Sequence, residues 1–363
     1  MARWLIGRLR LAARGRCRGL IYAMSLTLVL VASCGAGAGR GKTGLIVPPL
    51  TSSTKVVCTR YAEPLGAGSS RGLGTRRDPL RGFQRLVNSL RPGQTGCLLS
   101  GRYVEDPDVR SGGTSTQPLV IRGAPGATAE LDGNLSIEAG APHVTVEYLT
   151  ICGAPGASSC RGTSFSSGRN TAVDISAGHV ALRYDDISDP LGVCVLIGTA
   201  SSRSDDMGPA DFAWIAHNRI HNCGGEPGTS TTLEGVYSAY TVDSAIVYNQ
   251  IYNNASMAIQ FYPDAQDNVF EHNHVWHNGA GVSFGGVGSF RSNGNTVAYN
   301  VIQNSVGWNV SSYWPDGVGV GNVVAHNCLR ADRTAPYYRP NDGIQPRRLG
   351  GLGFTSYDDD CTD

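Results

Sequence analysis

His217-Asn218-Arg219-Ile220 is the first clear copy of a four-residue pattern that returns through the C-terminal half of the chain. The later copies are Tyr248-Asn249-Gln250-Ile251, His272-Asn273-His274-Val275, Tyr299-Asn300-Val301-Ile302 and His326-Asn327-Cys328-Leu329. Their asparagines are spaced by 31, 24, 27 and 27 residues. Repeat lengths of about 20 to 50 residues are typical of solenoids, in which successive coils stack and share one core.

The repeated asparagines are predicted to be structural rather than catalytic. An Asn side chain suits a tight turn, and stacked Asn side chains can hydrogen-bond from one coil to the next. Weaker copies of the pattern, Tyr148-Leu149-Thr150-Ile151 and Tyr184-Asp185-Asp186-Ile187, lie upstream. The members of the predicted ladder are Asn218, Asn249, Asn273, Asn300 and Asn327.

Short segments that alternate apolar and polar residues lie within each period. Examples are Val144-Thr145-Val146, Val180-Ala181-Leu182 and Ala258-Ile259-Gln260-Phe261. Alternation with a period of two predicts strands with one buried face, and no helical pattern of useful length separates them. We therefore predict an all-β protein with a single-stranded parallel β-helix over residues 76–335 and a C-terminal cap or tail over residues 336–363.

An opening motif precedes the repeats. It reads Leu90-Arg91-Pro92-Gly93-Gln94-Thr95-Gly96 and closes with Leu99-Ser100-Gly101-Arg102-Tyr103. With the repeats, it resembles the right-handed parallel β-helix proteins of the pectate-lyase-like superfamily over residues 80–330. The resemblance implies a short N-terminal capping helix, for which residues 79–90 have apolar side chains at helical spacing. The superfamily includes lyases, hydrolases, epimerases and adhesins, so the fold alone does not decide the function.

The resemblance also implies a ligand groove outside the first of the three sheets, between the loops on either side. Aligned coils place this sheet at residues 135–138, 173–176, 193–197, 236–238, 259–262, 282–285 and 308–311. Alternation directs a polar row outward: Glu138, Asp174, Ser176, Tyr237, Gln260, Tyr262, Ser283 and Asn309. Aromatic rings stack on pyranose faces while amides and carboxylates bond hydroxyls, although a merely solvated face explains the row equally well. The predicted sugar-binding residues are Glu138, Tyr237, Gln260, Tyr262 and Asn309.

The sequence supports catalysis less directly. A uronate lyase needs a base and a cation that offsets the developing charge. Beyond the N-terminal leader the chain has only Lys42 and Lys55, both outside the repeats, so a Lys base is not expected. An Arg base with bound calcium stays open, with Arg203 or Arg291 as the base. Its candidate oxygen ligands are Asp174, Asp205, Asp206 and Asp264.

A glycoside hydrolase would need two carboxylates about 5–10 Å apart. Asp174 and Asp264 belong to different coils, and Asp185-Asp186 falls at a turn beside the asparagines. Whether the protein is an enzyme is therefore undecided, with a polysaccharide lyase and a glycoside hydrolase as the two catalytic readings.

The N-terminus is predicted to direct export. Residues 1–33 contain six arginines and no acid, and all six arginines precede an apolar segment over residues 20–32. This segment is too short to span a bilayer comfortably but suits the core of a signal peptide. Val31-Ala32-Ser33-Cys34 resembles a bacterial lipobox, which implies acylation of Cys34. A plain secretory signal cleaved nearby is the alternative. We assign residues 1–33 to a signal peptide and residues 34–75 to a flexible tether.

The remaining cysteines agree with export. An even number in an exported chain predicts disulfides, and we pair sequence neighbours. The predicted bonds are Cys58 with Cys97, Cys152 with Cys160, Cys194 with Cys223, and Cys328 with Cys361.

Composition limits the partners. The chain has 363 residues with 48 Gly and 18 Pro, and its formal charge of +1 becomes −5 without the Arg-rich leader. A chain of this charge lacks the basic footprint of a nucleic-acid-binding protein. Ala36 to Thr43 fits a permissive phosphate-loop pattern, but a signal core precedes it and Pro48-Pro49 follows, so no nucleotide is expected.

We therefore expect a monomeric protein of the extracellular space or cell envelope, touching the membrane only through a lipid anchor. It is expected to bind, and in the catalytic readings to cleave, an extended acidic polysaccharide along its first sheet. A non-catalytic structural or adhesion β-helix protein is the alternative. No cofactor is required, and calcium is left open.

Overall fold

The chain is wound as a solenoid of three parallel sheets. The computed structural model describes residues 57–66, 72–153, 171–189, 191–198, 210–311 and 319–330. Within these residues the strands pair in parallel, each with the equivalent strands of the coils before and after it. The predicted right-handed parallel β-helix is confirmed.

Sheet A contains eleven strands among the described residues and presents one buried apolar column to the core. Val146 lies beside Leu182, Leu182 beside Ile215, and Ile215 beside Ile246. The strands are β1 (Arg60–Glu63), β2 (Leu80–Arg81), β3 (Thr95–Leu98), β6 (Leu119–Gly123), β9 (Val144–Glu147), β12 (Ala181–Arg183), β15 (Trp214–Ala216), β18 (Ala245–Val247), β21 (Val269–Glu271), β24 (Thr296–Ala298) and β27 (Val323–Ala325).

Sheet B contains nine strands in the same part of the chain, and four consecutive members of its core column are isoleucines. Ile151, Ile187, Ile220 and Ile251 are in register and fully buried, as suits β-branched residues on a pleated surface. The strands are β4 (Gly101–Tyr103), β7 (Ala129–Asp132), β10 (Thr150–Cys152), β13 (Asp186–Ser188), β16 (Arg219–His221), β19 (Gln250–Tyr252), β22 (His274–Trp276), β25 (Val301–Gln303) and β28 (Cys328–Arg330).

Sheet C contains eight strands of the described chain, and each of the seven segments predicted for the first sheet overlaps one of them. Val173, Val195, Val236 and Ile259 form its buried column. The strands are β5 (Asp108–Val109), β8 (Leu135–Ile137), β11 (Thr171–Ile175), β14 (Val193–Ile197), β17 (Val236–Ser238), β20 (Met257–Phe261), β23 (Ala280–Phe284) and β26 (Val310–Ser311).

The coils turn their corners at non-glycine residues whose φ lies between 52° and 59°. Between sheets A and B these residues are Tyr148, Tyr184, His217, Tyr248, His272, Tyr299 and His326. Between sheets B and C they are Asn222, Asn253, His277 and Asn304, and between sheets C and A they are His143, His179, Phe212, Asp243 and Asp267. This left-handed conformation suits Asn and Asp but is uncommon for Tyr and Phe, so the stacked coils must hold it in place.

From His217 onward, the residue that follows each turning residue at the A–B corner belongs to the asparagine ladder. The Nδ2 of Asn218 donates to Oδ1 of Asn249 at 3.1 Å, and Asn249, Asn273 and Asn300 repeat the bond toward Asn327. Each Oδ1 also accepts the backbone N–H of the preceding ladder residue. The other two corners have shorter ladders, Asn254 to Asn278 and Asn268 through Asn295 to Asn322.

The turning residues of the A–B corner form one continuous aromatic stack. Its seven rings, four Tyr and three His, lie nearly parallel, with successive centroids 4.9–5.4 Å apart. The guanidinium of Arg122 covers the Tyr148 ring at one end, 4.7 Å from its centroid. His and Tyr are thus interchangeable here because each serves as a flat ring between two others.

The helix α1 (Phe83–Ser89) closes the N-terminal end of the solenoid. Phe83, Leu86 and Val87 are buried against the first coil, as their helical spacing predicts. The Glu105 carboxylate accepts the N–H groups of Phe83 and Gln84, at 2.7 and 3.1 Å. The helix begins later than predicted because β2 occupies the residues before it. No helix among the described residues has the length and apolar character needed to cross a bilayer.

The solenoid begins earlier than the predicted boundary at residue 76. Within the segment predicted to be a flexible tether, β1 pairs in parallel with β3, so this part of the prediction is wrong. A disulfide between Cys58 and Cys97, with 5.7 Å between the Cα atoms, fixes this first coil.

The second confirmed disulfide joins Cys194 and Cys223. Cys328 is also disulfide-bonded, but its predicted partner Cys361 lies outside the described residues, as does Cys160, the predicted partner of Cys152.

Candidate functional site

The outer face of sheet C carries a row of side chains in register, one from each coil. From the N-terminal end the row contains Asp108, Ser136, Asp174, Leu196, Tyr237, Gln260, Ser283 and Ser311. Neighbouring members are about 4.8 Å apart, the spacing of strands in a sheet. Glu138 and Tyr262 lie one residue beyond their strands, on the same face.

Part of this row reaches the surface, and its first member, Asp108, is half-buried. Asp174, Leu196 and Tyr237 are half-buried, and so are Glu138 and Tyr262. The accessible surface therefore combines acids at the N-terminal side with two tyrosines farther along the solenoid.

Two residues predicted to bind sugar are buried instead. Gln260 lies in the outer row as expected, but only 3% of it is exposed. Asn309 is 1% exposed, and its Nδ2 donates to the backbone carbonyl of Arg330 at 3.1 Å. Asn309 therefore has a structural contact in the corner before β26, because its coil turns there rather than forming an extended strand.

Tyr237 and Tyr262 form a tyrosine pair on this face. Their ring centroids are 6.4 Å apart and their planes are within 17° of parallel, although the residues belong to successive coils. Tyr240 lies nearby and packs edge-on against Phe290, with centroids 5.8 Å apart. β17 and β20 pair in register, which places Tyr237 beside Gln260 and Tyr262 two residues beyond Gln260.

Glu234 lies beside the tyrosine pair and was not predicted as a site residue. It is 1% exposed, and burial raises its pKa to about 8, so the carboxyl is protonated at neutral pH. Burial also raises the pKa of Tyr237, followed by the effect of Glu234. In the sequence, Glu234 stands directly before Gly235. In the structure, a Cβ added at Gly235 would lie 2.9 Å from the Ala258 carbonyl oxygen, so the backbone is tightly packed at this point.

Asp264 and Arg291 lie at the edge of the same face, in the corner between sheets C and A. Gln266 Nε2 links them, donating to Asp264 Oδ1 at 2.6 Å and to the Arg291 carbonyl at 2.5 Å. The Arg291 guanidinium donates to the carbonyls of Gly288 and Phe290 in its own loop. Its contacts are therefore those of a loop-bracing residue.

The two acids predicted to be catalytic, Asp174 and Asp264, do not form a close pair. Asp174 is on β11 and Asp264 follows β20, three strands farther along sheet C, so they are at least about 14 Å apart. This exceeds the 5–10 Å separation used by glycoside hydrolases. Arg203, Asp205 and Asp206 lie outside the described residues. Within those residues, no group of three or more His, Cys, Asp or Glu is placed to hold a metal ion.

Comparison with known proteins places this geometry in a fold group. The family model described as "Right handed beta helix region" matches residues 157–327. No curated protein matches the chain.

Several solved structures share the fold. The xylose complex of XylC has a TM-score of 0.53 at 13% identity, with 75% of this chain and 66% of that chain covered, just under two thirds of its length. Pectate lyase Pel9A has a TM-score of 0.51 at 12% identity, covering 76% and 71%. At these low identities, the superpositions show a shared fold.

Proposed function

We propose that this chain, a right-handed parallel β-helix of the pectate-lyase-like kind, binds an extended polysaccharide along the outer face of sheet C. The tyrosine pair is the observation that carries the proposal. Two nearly parallel rings offer apolar surface to pyranose faces, and the neighbouring carboxylates accept hydrogen bonds from hydroxyls.

The length of the face supports an extended ligand rather than a single sugar. From Glu138, just after β8, to Tyr262, just after β20, the half-buried side chains span five successive strands of sheet C. At about 4.8 Å per strand, this distance is about 19 Å. A surface of this length can contact several consecutive sugars at once.

The binding test uses the full-length protein and a panel of polysaccharides in affinity electrophoresis. Y237A/Y262A is expected to weaken retention at least tenfold, because both rings of the proposed sugar-stacking surface would be lost. Y299N, which removes an equally aromatic side chain from the A–B corner, is the matched control and should bind like the parent. Equal binding by Y237A/Y262A and the parent would contradict the assignment.

Binding without cleavage is the version to test first, because the two acids predicted to be catalytic, Asp174 and Asp264, are too far apart to act together as a hydrolytic pair. Product assays decide the matter, with calcium and without it. Absorbance at 235 nm would reveal the unsaturated product of a lyase, and new reducing ends without it would reveal a hydrolase. Either signal would make the protein an enzyme.

We further propose that the protein is exported, anchored through acylated Cys34 and monomeric. The two confirmed disulfides support this proposal because such bonds persist in oxidising compartments. The parent should partition into membranes and incorporate labelled palmitate in a bacterial host, whereas C34A should do neither. Light scattering of the detergent-free C34A variant should give the monomer mass.

A further inference from the structure

We infer that the polysaccharide recognised on sheet C is branched, with its backbone over the tyrosine pair and a side-chain sugar against Phe290. This inference rests on the proposed function and names the substrate class of the same surface. The juxtaposition that carries it is an exposed apolar loop tip that joins the tyrosine pair from one side, away from the row of outer side chains.

The loop between β23 and β24 presents two apolar side chains to solvent. Val287 and Phe290 are each 40% exposed and belong to one turn, in which the Phe290 N–H donates to the Val287 carbonyl at 2.9 Å. The Arg291 guanidinium closes the same turn by donating to the carbonyls of Gly288 and Phe290. Adjoining exposed apolar side chains mark contact surfaces, whereas isolated ones are ordinary.

This loop tip joins the tyrosine pair through Tyr240. The Tyr240 ring packs edge-on against Phe290, with centroids 5.8 Å apart, and is itself only 6% exposed. Burial is the largest cause of the raised pKa of Tyr237, and Tyr262 and Tyr240 both contribute to it, so both lie near its hydroxyl. The aromatic side chains therefore form one cluster that extends from the pair to Phe290.

Phe290 lies to one side of the path that a chain on sheet C would follow. The outer row runs along the solenoid, from Tyr237 through Gln260 to Ser283. Tyr240, against which Phe290 packs, lies past the end of β17, three residues beyond Tyr237. Three residues of extended chain span up to about 10 Å across the strands. The exposed ring is therefore beside the row rather than on it.

A linear polymer that followed the row would leave Phe290 and Val287 in water. A branched polymer can cover both parts of the cluster at once. Its backbone sugars would lie on Tyr237 and Tyr262, and the C–H face of a side-chain sugar would lie on Phe290. Burial of the apolar loop tip then adds to the affinity for the branched polymer alone.

The experiment compares polymers that share a backbone and differ in their branches. Affinity electrophoresis of the full-length parent uses galactomannan before and after α-galactosidase, arabinoxylan before and after arabinofuranosidase, and rhamnogalacturonan before and after galactanase. The parent should retain at least one branched polymer about tenfold more tightly than its trimmed form, because the branch buries a further aromatic ring. F290N should lose this preference and retain the trimmed form as the parent does.

F212N is the matched control. Phe212 is 49% exposed, stacks on His179 with centroids 4.7 Å apart and lies two residues before β15 of sheet A. The same substitution there should leave the retention of both polymer forms unchanged. F290L keeps an apolar side chain and should keep part of the preference. If F212N abolished the preference as F290N does, the effect would not be local and the inference would fail.

The remaining outcomes separate the inference from the proposed function. Equal retention of branched and trimmed polymers by the parent, or a full preference kept by F290N, would overturn the inference and leave polysaccharide binding standing. An equal loss of the trimmed form by F290N would also overturn it, since the ring would then contact the backbone. If the parent retained no polymer, both proposals would fail together.

Discussion

Asp185 is the residue at which the asparagine ladder ends toward the N-terminus. Its backbone N–H donates to Asn218 Oδ1 at 2.9 Å and its own Oδ1 accepts the Leu149 N–H at 2.8 Å, as a ladder Asn would. Its Oδ2 stands in place of an amide nitrogen and is buried without a hydrogen-bond partner. Burial raises the pKa of this carboxyl well above its usual value, since an ionised group would lack donors there.

We predict that D185N stabilises the protein by about 1–3 kcal/mol at pH 7, because the amide restores the donor that the ladder uses. The raised pKa means that the stability contributed by the protonated acid is present below about pH 4 and lost as the pH rises. The gain should therefore shrink in acid. Urea unfolding at pH 4 and pH 7 measures both effects.

The reciprocal variant N273D controls for this prediction. Asn273 Nδ2 donates to the Ile246 carbonyl and to Asn300 Oδ1, at 2.9 and 3.0 Å, and an acid cannot supply both bonds. N273D should lower stability at pH 7. A gain from N273D, or a loss from D185N, would contradict this account of the ladder.

Glu234 gives a second residue-scale prediction. Its folded pKa of about 8 lies above the usual 4.5, so stability should be lost as the pH rises between these values. E234Q removes the ionisable group and should unfold at higher urea concentration than the parent at pH 8.5. The two proteins should converge at pH 4, where both side chains are neutral. A constant difference across this range would show that packing, rather than ionisation, separates them.

At the scale of the element, α1 depends on an acid from the following coil. The helix has no side-chain cap from its own N-terminal residue, Gly82, and the Glu105 carboxylate takes the N–H groups of its first turn. E105A should cost about 1 kcal/mol, the usual value of a lost helix cap, and should speed amide exchange in α1. E105Q, which keeps one acceptor oxygen, should fall between. Unchanged exchange in α1 would show that packing alone holds it.

The same scale shows what the sequence could predict. The strands of sheet C and the A–B corner were predicted because alternation and one repeated Asn mark them directly. The ladder of the C–A corner was not, because Ser244 takes the first position and Asn268 follows, so no single residue type repeats there. The burial of Gln260 was also not predicted, because the strand register determines only the face on which a side chain lies. Its burial depends on surrounding segments whose paths alternation does not describe.

At the scale of the whole molecule, the A–B aromatic stack makes the stability of the fold depend on pH. Burial lowers the pKa of His217 within this stack, and burial followed by the charge of His143 lowers that of His179 in a neighbouring stack. As the pH falls, these histidines are therefore protonated in the unfolded chain before they are protonated in the folded one. The stability of the fold should decrease as the pH falls below about 6.5.

H217Y tests this dependence without disturbing the stack. Tyr184 and Tyr248 occupy the same slot in the coils on either side, so a Tyr at 217 should pack as they do. The melting temperature of H217Y should fall less between pH 7 and pH 5.5 than that of the parent. Identical slopes for the two proteins would mean that His217 does not contribute to the acid response.

The aromatic contacts along the solenoid also give the molecule an optical signature. The Tyr252 ring lies 4.3 Å from that of Trp276 and nearly parallel to it, and Tyr148 stacks on Tyr184 at 5.0 Å. At such separations, excitation absorbed by Tyr252 passes to Trp276, and the transitions of the stacked tyrosines couple as excitons. The wound coils should therefore show weak tyrosine emission and strong near-ultraviolet dichroism, and unwinding should raise the first and reduce the second.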